Sequence, residues 1–389
     1  MPLGGREALI VGAVRSPVGR GHRERGVFAP LHPLELLGQV YEGLFAATGV
    51  DPGEVGAVVC GCVYTIAEQA AGVARNAWLA KGLPESVPAV SVDVRCGSGQ
   101  EALNLAALKV AAGVDDLAVA AGLEHMGRVG FPVNAGAQEK WGSAFDAELL
   151  GRYALVPQGE AAELIADRWE ISRAEMDELA LRSHRRAAAA TEAGAFDREV
   201  VPIAVDGTRV TVDQGIRADT SVEALAALRP AFREEGRVTA GNSSQISDGA
   251  AALLIATPAK AAELGLAPRA RIVDQVVVGV DPVTMLTGPI PATSQILERN
   301  GLVLDDLDTI EINEAFASVV IAWAREHEPD LARVNPRGGA IALGHPLGST
   351  GARLTTTLLH ELEDTGGELG LVTMCCAGGV GTATLIQRV

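Results

Sequence analysis

Aromatic residues are scarce, at 4% of 389 residues, while 48% of the chain is hydrophobic, so its cores are built mainly from aliphatic side chains. Basic residues are outnumbered, 32 Lys and Arg against 49 Asp and Glu, which leaves a net charge of −17. A chain this acidic is not built to embrace nucleic acid, although a single basic pocket for a small anion is compatible with it. No apolar run reaches the ~18 residues of a membrane span, and the residues after Met1 form no signal-like apolar core. The expectation is a soluble, cytoplasmic protein with neither a nucleic-acid nor a membrane partner. Cysteine is sparse and odd in number: Cys60, Cys62, Cys96, Cys375 and Cys376. That does not suggest a disulfide framework. The pairs 60/62 and 375/376 also lack the Cys-x-x-Cys spacing of common zinc sites, so no metal is expected.

What the chain does have is concentrated around Cys96. Val90, Val92 and Val94 alternate with Ser91 and Asp93, which predicts a strand with one buried face. Gly97 and Gly99 break it, and the Ala- and Leu-rich run from Gln100 to Ala112 predicts a helix. A thiol at that strand–turn–helix junction sits near a helix N-terminus, where free N–H groups favour an anion; it is expected to ionise more easily than a free thiol. This is the setting of an activated nucleophile. A small buried hydrophobe is the plain alternative.

Strands alternating with helices run through most of the chain and predict α/β layers around a largely parallel sheet. Helices are expected at 33–47, 71–80, 291–300, 315–325 and 351–363, strands at 7–14, 55–63, 117–122, 270–280 and 309–312, and a strand-like segment at 338–343. Residues 369–375 and 381–387 read as a terminal hairpin. Between 123 and 237 the pattern gives way to a glycine-rich stretch and two helices, the second opened by a capping box, Ser172-Arg-Ala-Glu175. The domains are therefore expected to be 1–122 plus 238–268, an inserted loop domain at 123–237, and 269–389. Val94-Arg-Cys96-Gly-Ser-Gly leading into a helix is echoed by Leu343-Gly-His345-Pro-Leu-Gly leading into another, as though two related halves each present one reactive residue on the same kind of turn.

Further motifs carry possible chemistry. His345 lies on a turn made rigid by Gly344 and Pro346, and a neutral imidazole is the usual acceptor for a thiol proton. Met374-Cys375-Cys376-Ala377-Gly-Gly puts a cysteine ahead of a turn whose backbone N–H groups a substrate can approach. Asn313-Glu-Ala-Phe joins a strand to a helix, where Asn313 could equally be a helix cap. Asn242-Ser-Ser244-Gln is a polar turn ahead of an Ala-rich run, which a capped helix would also explain.

In this order and at these separations the motifs resemble the thiolase family of coenzyme A-dependent acyltransferases. The resemblance runs end to end, from Arg15-Ser-Pro17 through Gly61-Cys-Val63, Arg95-Cys96-Gly-Ser-Gly, Leu123-Glu-His-Met126 and Leu228-Arg-Pro-Ala-Phe232 to Asn313-Glu-Ala-Phe, Gly344-His-Pro and Cys375. It implies a five-layer α-β-α-β-α sandwich of two similar halves with an inserted loop domain. It implies Cys96 as the acylated nucleophile, His345 as its proton acceptor and Cys375 as the acid/base at the substrate α-carbon. Asn313 would hold a water that completes one oxyanion hole with His345, and the backbone N–H groups of Cys96 and Ala377 would form the other. Arg217, Phe232 and Ser244 would contact coenzyme A, which is substrate and product rather than a resident cofactor.

The implied activity is reversible thiolytic cleavage of 3-ketoacyl-CoA, as in fatty acid metabolism, by a homodimer or homotetramer. Many acetoacetyl-forming members carry His-Met-Gly where this chain reads Val156-Pro157-Gln158-Gly159, so the pattern looks closer to degradative 3-ketoacyl-CoA thiolases. Cys376 has no implied role. The competing readings are a decarboxylating or hydroxymethylglutaryl-type synthase, which the Asn313 motif with Cys375 argues against, and a non-catalytic or partner-dependent acyl-CoA-binding relative.

Overall fold

The computed structural model describes residues 7–389; the stretch read above for a signal-like core falls mostly outside them. Nine strands lie side by side in one continuous sheet in the order Thr309–Ile312, Leu369–Cys376, Val380–Arg388, Ala270–Gly279, Leu9–Arg15, Ser247–Ala256, Leu117–His125, Ala57–Gly61 and Ala89–Val92. The two-residue strand Gly19–Arg20 pairs beside Ser247–Ala256. The sheet is two copies of one pattern. In the first, Ala57–Gly61 runs parallel to Leu117–His125, which is antiparallel to Ser247–Ala256, which is antiparallel to Leu9–Arg15. In the second, Thr309–Ile312, Leu369–Cys376, Val380–Arg388 and Ala270–Gly279 repeat that order and sense. The copies meet through a short pairing of Leu9 and Ile10 with Arg271 and Ala270.

The sheet is thus mixed, not largely parallel as expected. The antiparallel members are the strand that returns after the insertion and the terminal hairpin, neither of which needs a helical crossover.

Strand alternation sorts the aliphatic residues into layers. Along Ser247–Ala256, Ala250, Ala252, Leu254 and Ala256 face one core, with Leu36, Val40, Tyr41 and Trp78 from the helices Pro33–Thr48 and Val73–Ala80. Ala251, Leu253 and Ile255 face another, filled by Leu103 and Val110 of helix Ser98–Ala111 and Leu354, Leu358 and Leu362 of helix Thr350–Thr365. These two helices form a middle layer that also touches Val372, Met374 and Ile386 of the second half. Helices Pro289–Asn300 and Ala317–His327 cover the outer face of that half through Ile296, Val320 and Trp323. Both faces of Leu9–Arg15, Leu117–His125 and most of Ser247–Ala256 are buried, which is why these segments read as nearly continuous apolar runs.

The strand Leu117–His125 carries the chain past residue 122, so the sheet extends three residues into the segment expected to be insertion. Beyond it lie the exposed helices Phe131–Trp141 and Ala147–Arg152, then Gln158–Arg168 and Arg173–Glu192. The last of these begins with the expected capping box: the Ser172 hydroxyl accepts from the Glu175 N–H at 3.2 Å, and the Glu175 carboxylate accepts from the Ser172 N–H at 2.7 Å.

Two local expectations fail. Residues 338–343 contain a helical turn, Ala340–Leu343, rather than a strand. Ala89–Val92 is an edge strand of the sheet, paired on one side only, and its Val90 is half exposed. Among the described residues no helix is long and apolar enough to cross a membrane, and no group of three His, Cys, Asp or Glu side chains could hold a metal.

Candidate active site

Cys96 lies two residues before helix Ser98–Ala111, and His345 five before helix Thr350–Thr365. The two middle-layer helices touch at their first turns, which brings the reactive residues together. That contact requires glycine: a Cβ on Gly99 would come within 2.7 Å of the Gly348 carbonyl oxygen, and one on Gly351 within 2.2 Å of the Gln100 nitrogen. Each reactive residue also follows one in the left-handed region, Arg95 at φ 52° and Gly344 at φ 105°. Left-handed backbone is unusual for a residue with a Cβ and costs of order 1–3 kcal/mol. At Arg95 it is held by the Ser98 hydroxyl, which accepts from the Val94 N–H at 2.9 Å and donates to the Arg95 carbonyl at 2.6 Å.

The thiol is not pre-ionised, contrary to expectation. Burial pushes the Cys96 thiol up to about 11, although the backbone N–H groups of Ala377 and of Cys96 itself bond the sulfur and pull the other way. With the side chain buried, desolvation outweighs the helix N-terminus. The thiol must therefore pass its proton to a base. His345 is pushed down to about 3, first by burial and then by the Arg353 charge, so its ring is neutral. The hydroxyl of Thr350 donates to the Pro346 carbonyl at 2.9 Å, leaving its oxygen free to accept from His345 Nδ1 at 2.6 Å. The proton is thereby assigned to Nδ1 and the lone pair to Nε2. Asn313 Nδ2 lies 3.3 Å from Nε2, and Asn313 Oδ1 has no protein partner. Asn313 is no helix cap: its helix begins at Ala317.

Cys375 and Cys376 end the strand Leu369–Cys376 and are fully buried near Cys96; burial raises both thiols, and each would be raised further by a thiolate at Cys96. Their side chains take opposite faces. Cys375 belongs to the outer core of the second half, and Cys376 to the middle layer with Cys96. The Cys376 sulfur is held by the Gly97 N–H and the Thr382 hydroxyl. That packing accounts for Cys376 structurally. Cys376→Ala is expected to keep thiolysis within a few-fold of the parent and to cost about 1 kcal/mol of stability, the loss of one small buried group. Steady-state assays beside urea unfolding check it; a hundredfold loss of rate would transfer the acid/base role to Cys376.

Several positioning residues escaped the sequence reading. Glu124 is fully buried. Its carboxylate accepts from the N–H groups of Val63, Tyr64 and Gly348 at 2.9, 3.1 and 2.9 Å, and from Gln69 Nε2 at 2.8 Å, tying the Cys62 loop to the His345 turn. Gln100 donates to the Val372 carbonyl at 3.0 Å and accepts from Thr382 at 2.6 Å, which ties the Cys96 helix to the Cys375 hairpin. A carboxylate within the apolar run of Leu117–His125 was the available signal for Glu124.

A cleft of about 540 Å³ reaches His345 and Leu347 and is walled by Phe232, Ser244, Gln158 and Phe316. Phe232 packs edge-on against Phe316 at 6.0 Å. Of the three residues expected on coenzyme A, Phe232 and Ser244 line this cleft. Arg217 does not; it is exposed, with its N–H donating to His184 Nδ1 at 3.1 Å.

A buried thiol bonded by backbone N–H groups, and a neutral imidazole of fixed tautomer on the wall of a cleft, are the groups that cysteine-dependent acyl transfer requires. The chain belongs to the thiolase family: residues 8–259 match the thiolase N-terminal domain and residues 266–388 the thiolase C-terminal domain. It is 45% identical over 388 residues, 98% of this chain and 94% of the relative, to the steroid 3-ketoacyl-CoA thiolase FadA6 of Mycobacterium tuberculosis. It is 41% identical to the beta-ketoadipyl-CoA thiolase of Pseudomonas aeruginosa, over 99% of this chain and all of that one. The crystal structure of the Bacillus anthracis acetyl-CoA acetyltransferase superposes with a TM-score of 0.91 at 38% identity, covering 100% of both chains.

Proposed function

We propose that this protein cleaves 3-ketoacyl-CoA by thiolysis, giving acetyl-CoA and a shortened acyl-CoA, and runs the reverse condensation through the same acyl-Cys96 intermediate. The observation that supports the reading is that the Ala377 N–H bonds the Cys96 sulfur, Cys375 is buried near it, and His345, held by Thr350 and Asn313, lines the Phe232–Ser244 cleft. In the cleavage direction His345 Nε2 takes the Cys96 proton and the thiolate attacks the 3-keto carbon. The C2–C3 bond breaks, and Cys375 gives its proton to the α-carbon of the departing acetyl-CoA. The thiol of free coenzyme A then loses its proton to the base left on Cys375, attacks the acyl-Cys96 carbonyl and expels the Cys96 thiolate. N–H groups of Cys96 and Ala377 stabilise one oxyanion, and His345 with an Asn313-held water the other. Each such donor is worth ~3–4 kcal/mol.

Ser244 serves the pantetheine arm, Phe232 packs along it, and Arg217 meets the adenosine phosphates outside the cleft. The reading includes a cytoplasmic homodimer or homotetramer that binds coenzyme A only as substrate and product, with segment 123–237 covering the ligand. The named relatives differ in acyl group, one steroid-derived and one beta-ketoadipyl, so family membership leaves the acyl group open.

Cys375→Ala is expected to reduce condensation of two acetyl-CoA molecules by on the order of 10³-fold. Condensation at parental rate would remove Cys375 from the reaction. The reading as a whole is tested by incubating free coenzyme A with 3-ketoacyl-CoA esters from acetoacetyl upward. Acetyl-CoA release from at least one ester is expected; a folded protein that cleaves none would mark a non-catalytic or partner-dependent relative.

A further inference from the structure

The cleft does not end at its own wall. Met126, Phe131 and Ile246 line it and also line a second chamber of about 750 Å³. Phe232, Ser244 and His345 belong to the first cleft alone. A thioester with its reacting carbonyl at His345 therefore has two ways out, one past Phe232 and Ser244, the other across Met126, Phe131 and Ile246. On the reading proposed above, coenzyme A occupies the first, which leaves the second to the acyl chain.

The near part of that second route is apolar, continued by Pro132 and Val133. Its far wall is the basic loop after Pro17, which the reaction does not otherwise use: His22, Arg23 and Glu24, with Arg128 beside them. Arg128 is already engaged. Its Nε and Nη2 donate to Glu68 at 2.6 and 2.7 Å, and its Nη1 to the Ala29 carbonyl at 2.9 Å. The His22 ring faces the N–H groups of Glu24 and Arg25 at 3.1 and 3.2 Å. Arg23 differs. It makes one hydrogen bond, from Nη2 to the Arg128 carbonyl at 3.3 Å, and no ion pair with any described carboxylate, Glu24 included. Arg23 is exposed and has no carboxylate partner, so at the end of an apolar passage its guanidinium is free to receive an anion brought by a ligand.

We infer that Arg23 is a specificity-determining residue that receives a carboxylate at the far end of the acyl chain, so the substrates are 3-ketoacyl-CoA esters of dicarboxylic acids. The inference rests on the thiolytic function proposed above. A guanidinium offers paired N–H groups in the geometry of a carboxylate, and a charge-assisted pair is among the stronger hydrogen bonds. A terminal methyl gains nothing there and leaves the guanidinium facing it.

The test uses esters matched in length that differ only at the far end: 3-ketohexanoyl- against 3-ketoadipyl-CoA, and the corresponding eight- and ten-carbon pairs. Thiolysis kcat/KM is measured for the unaltered protein and for Arg23→Gln and Arg23→Lys. The expected result is a carboxylate-to-methyl ratio well above one for at least one length. That ratio should fall about tenfold or more in Arg23→Gln and recover partly in Arg23→Lys. A ratio below one at every length, or one that Arg23→Gln leaves unchanged, overturns the assignment while thiolysis of methyl-ended esters keeps the broader function. Cleavage of no ester overturns both.

Discussion

Cys96→Ser is expected to abolish acyl transfer, by on the order of 10⁴-fold or more, in a protein that still folds. The sulfur sits where burial has raised it to about 11, and the base proposed for it, His345, is a neutral imidazole lowered to about 3. On the proposed mechanism that proton transfer is uphill, and the N–H groups of Ala377 and Cys96, which favour the thiolate, are what assist it. A serine hydroxyl is a much weaker acid and a poorer nucleophile at neutral pH, so the same donors cannot close the gap. The exchange is nearly isosteric, and thermal unfolding should move little. Steady-state thiolysis of the best ester reads the effect, and activity above about 1% of the parent would refute the nucleophile assignment.

Arg15→Met is expected to cost ~3–5 kcal/mol of stability, the largest single loss outside the aliphatic core. Arg15 is fully buried. Its Nε donates to Glu199 at 2.5 Å, and Nη1 and Nη2 donate to the two Asp213 oxygens at 2.7 and 3.0 Å. Its guanidinium also lies 4.9 Å from the Phe196 ring centre. The three charged groups come from a central strand and from two places in the insertion, so one cation holds the segment 196–213 on the sheet. Without it two carboxylates stay buried with no cation in contact, and methionine fills the volume but not the charge. Urea unfolding at neutral pH checks it; an unfolding free energy within 0.5 kcal/mol of the parent would show that the site relaxes without its cation.

The residues of the centre were legible because their chemistry leaves local marks. A cysteine before two glycines, a histidine between Gly344 and Pro346 and a cysteine before Ala377-Gly-Gly are each a turn and a reactive group within about ten residues. The helix at Arg173–Glu192 was legible from its cap. What was not legible depends on distant parts of the chain. The acidity of Cys96 was misjudged because helix position is local and burial is not: the enclosure comes from the second half, through Ala377 and the strand before it. Glu124 gave no role in sequence because its partners lie at Val63, Gln69 and Gly348. The segment 338–343 looked like a strand because apolar residues fill it. It turns helical where Ile341 donates its N–H to the Glu314 carboxylate at 3.2 Å, under the helix that carries Ser183. The echo between the Cys96 and His345 turns, weak as a pattern of letters, corresponds to two helices in one layer whose first turns touch.

The central claim is that the two cysteines divide the labour, one acylated and one moving protons. It is tested most directly by exposing the protein, Cys375→Ala and Cys96→Ser to acetyl-CoA, quenching in acid and locating the added acetyl group by peptide mass mapping. The expected result is an acetyl thioester on Cys96 in the parent and in Cys375→Ala, and none in Cys96→Ser. An adduct on Cys375 or Cys376, or no adduct in Cys375→Ala, would contradict the account.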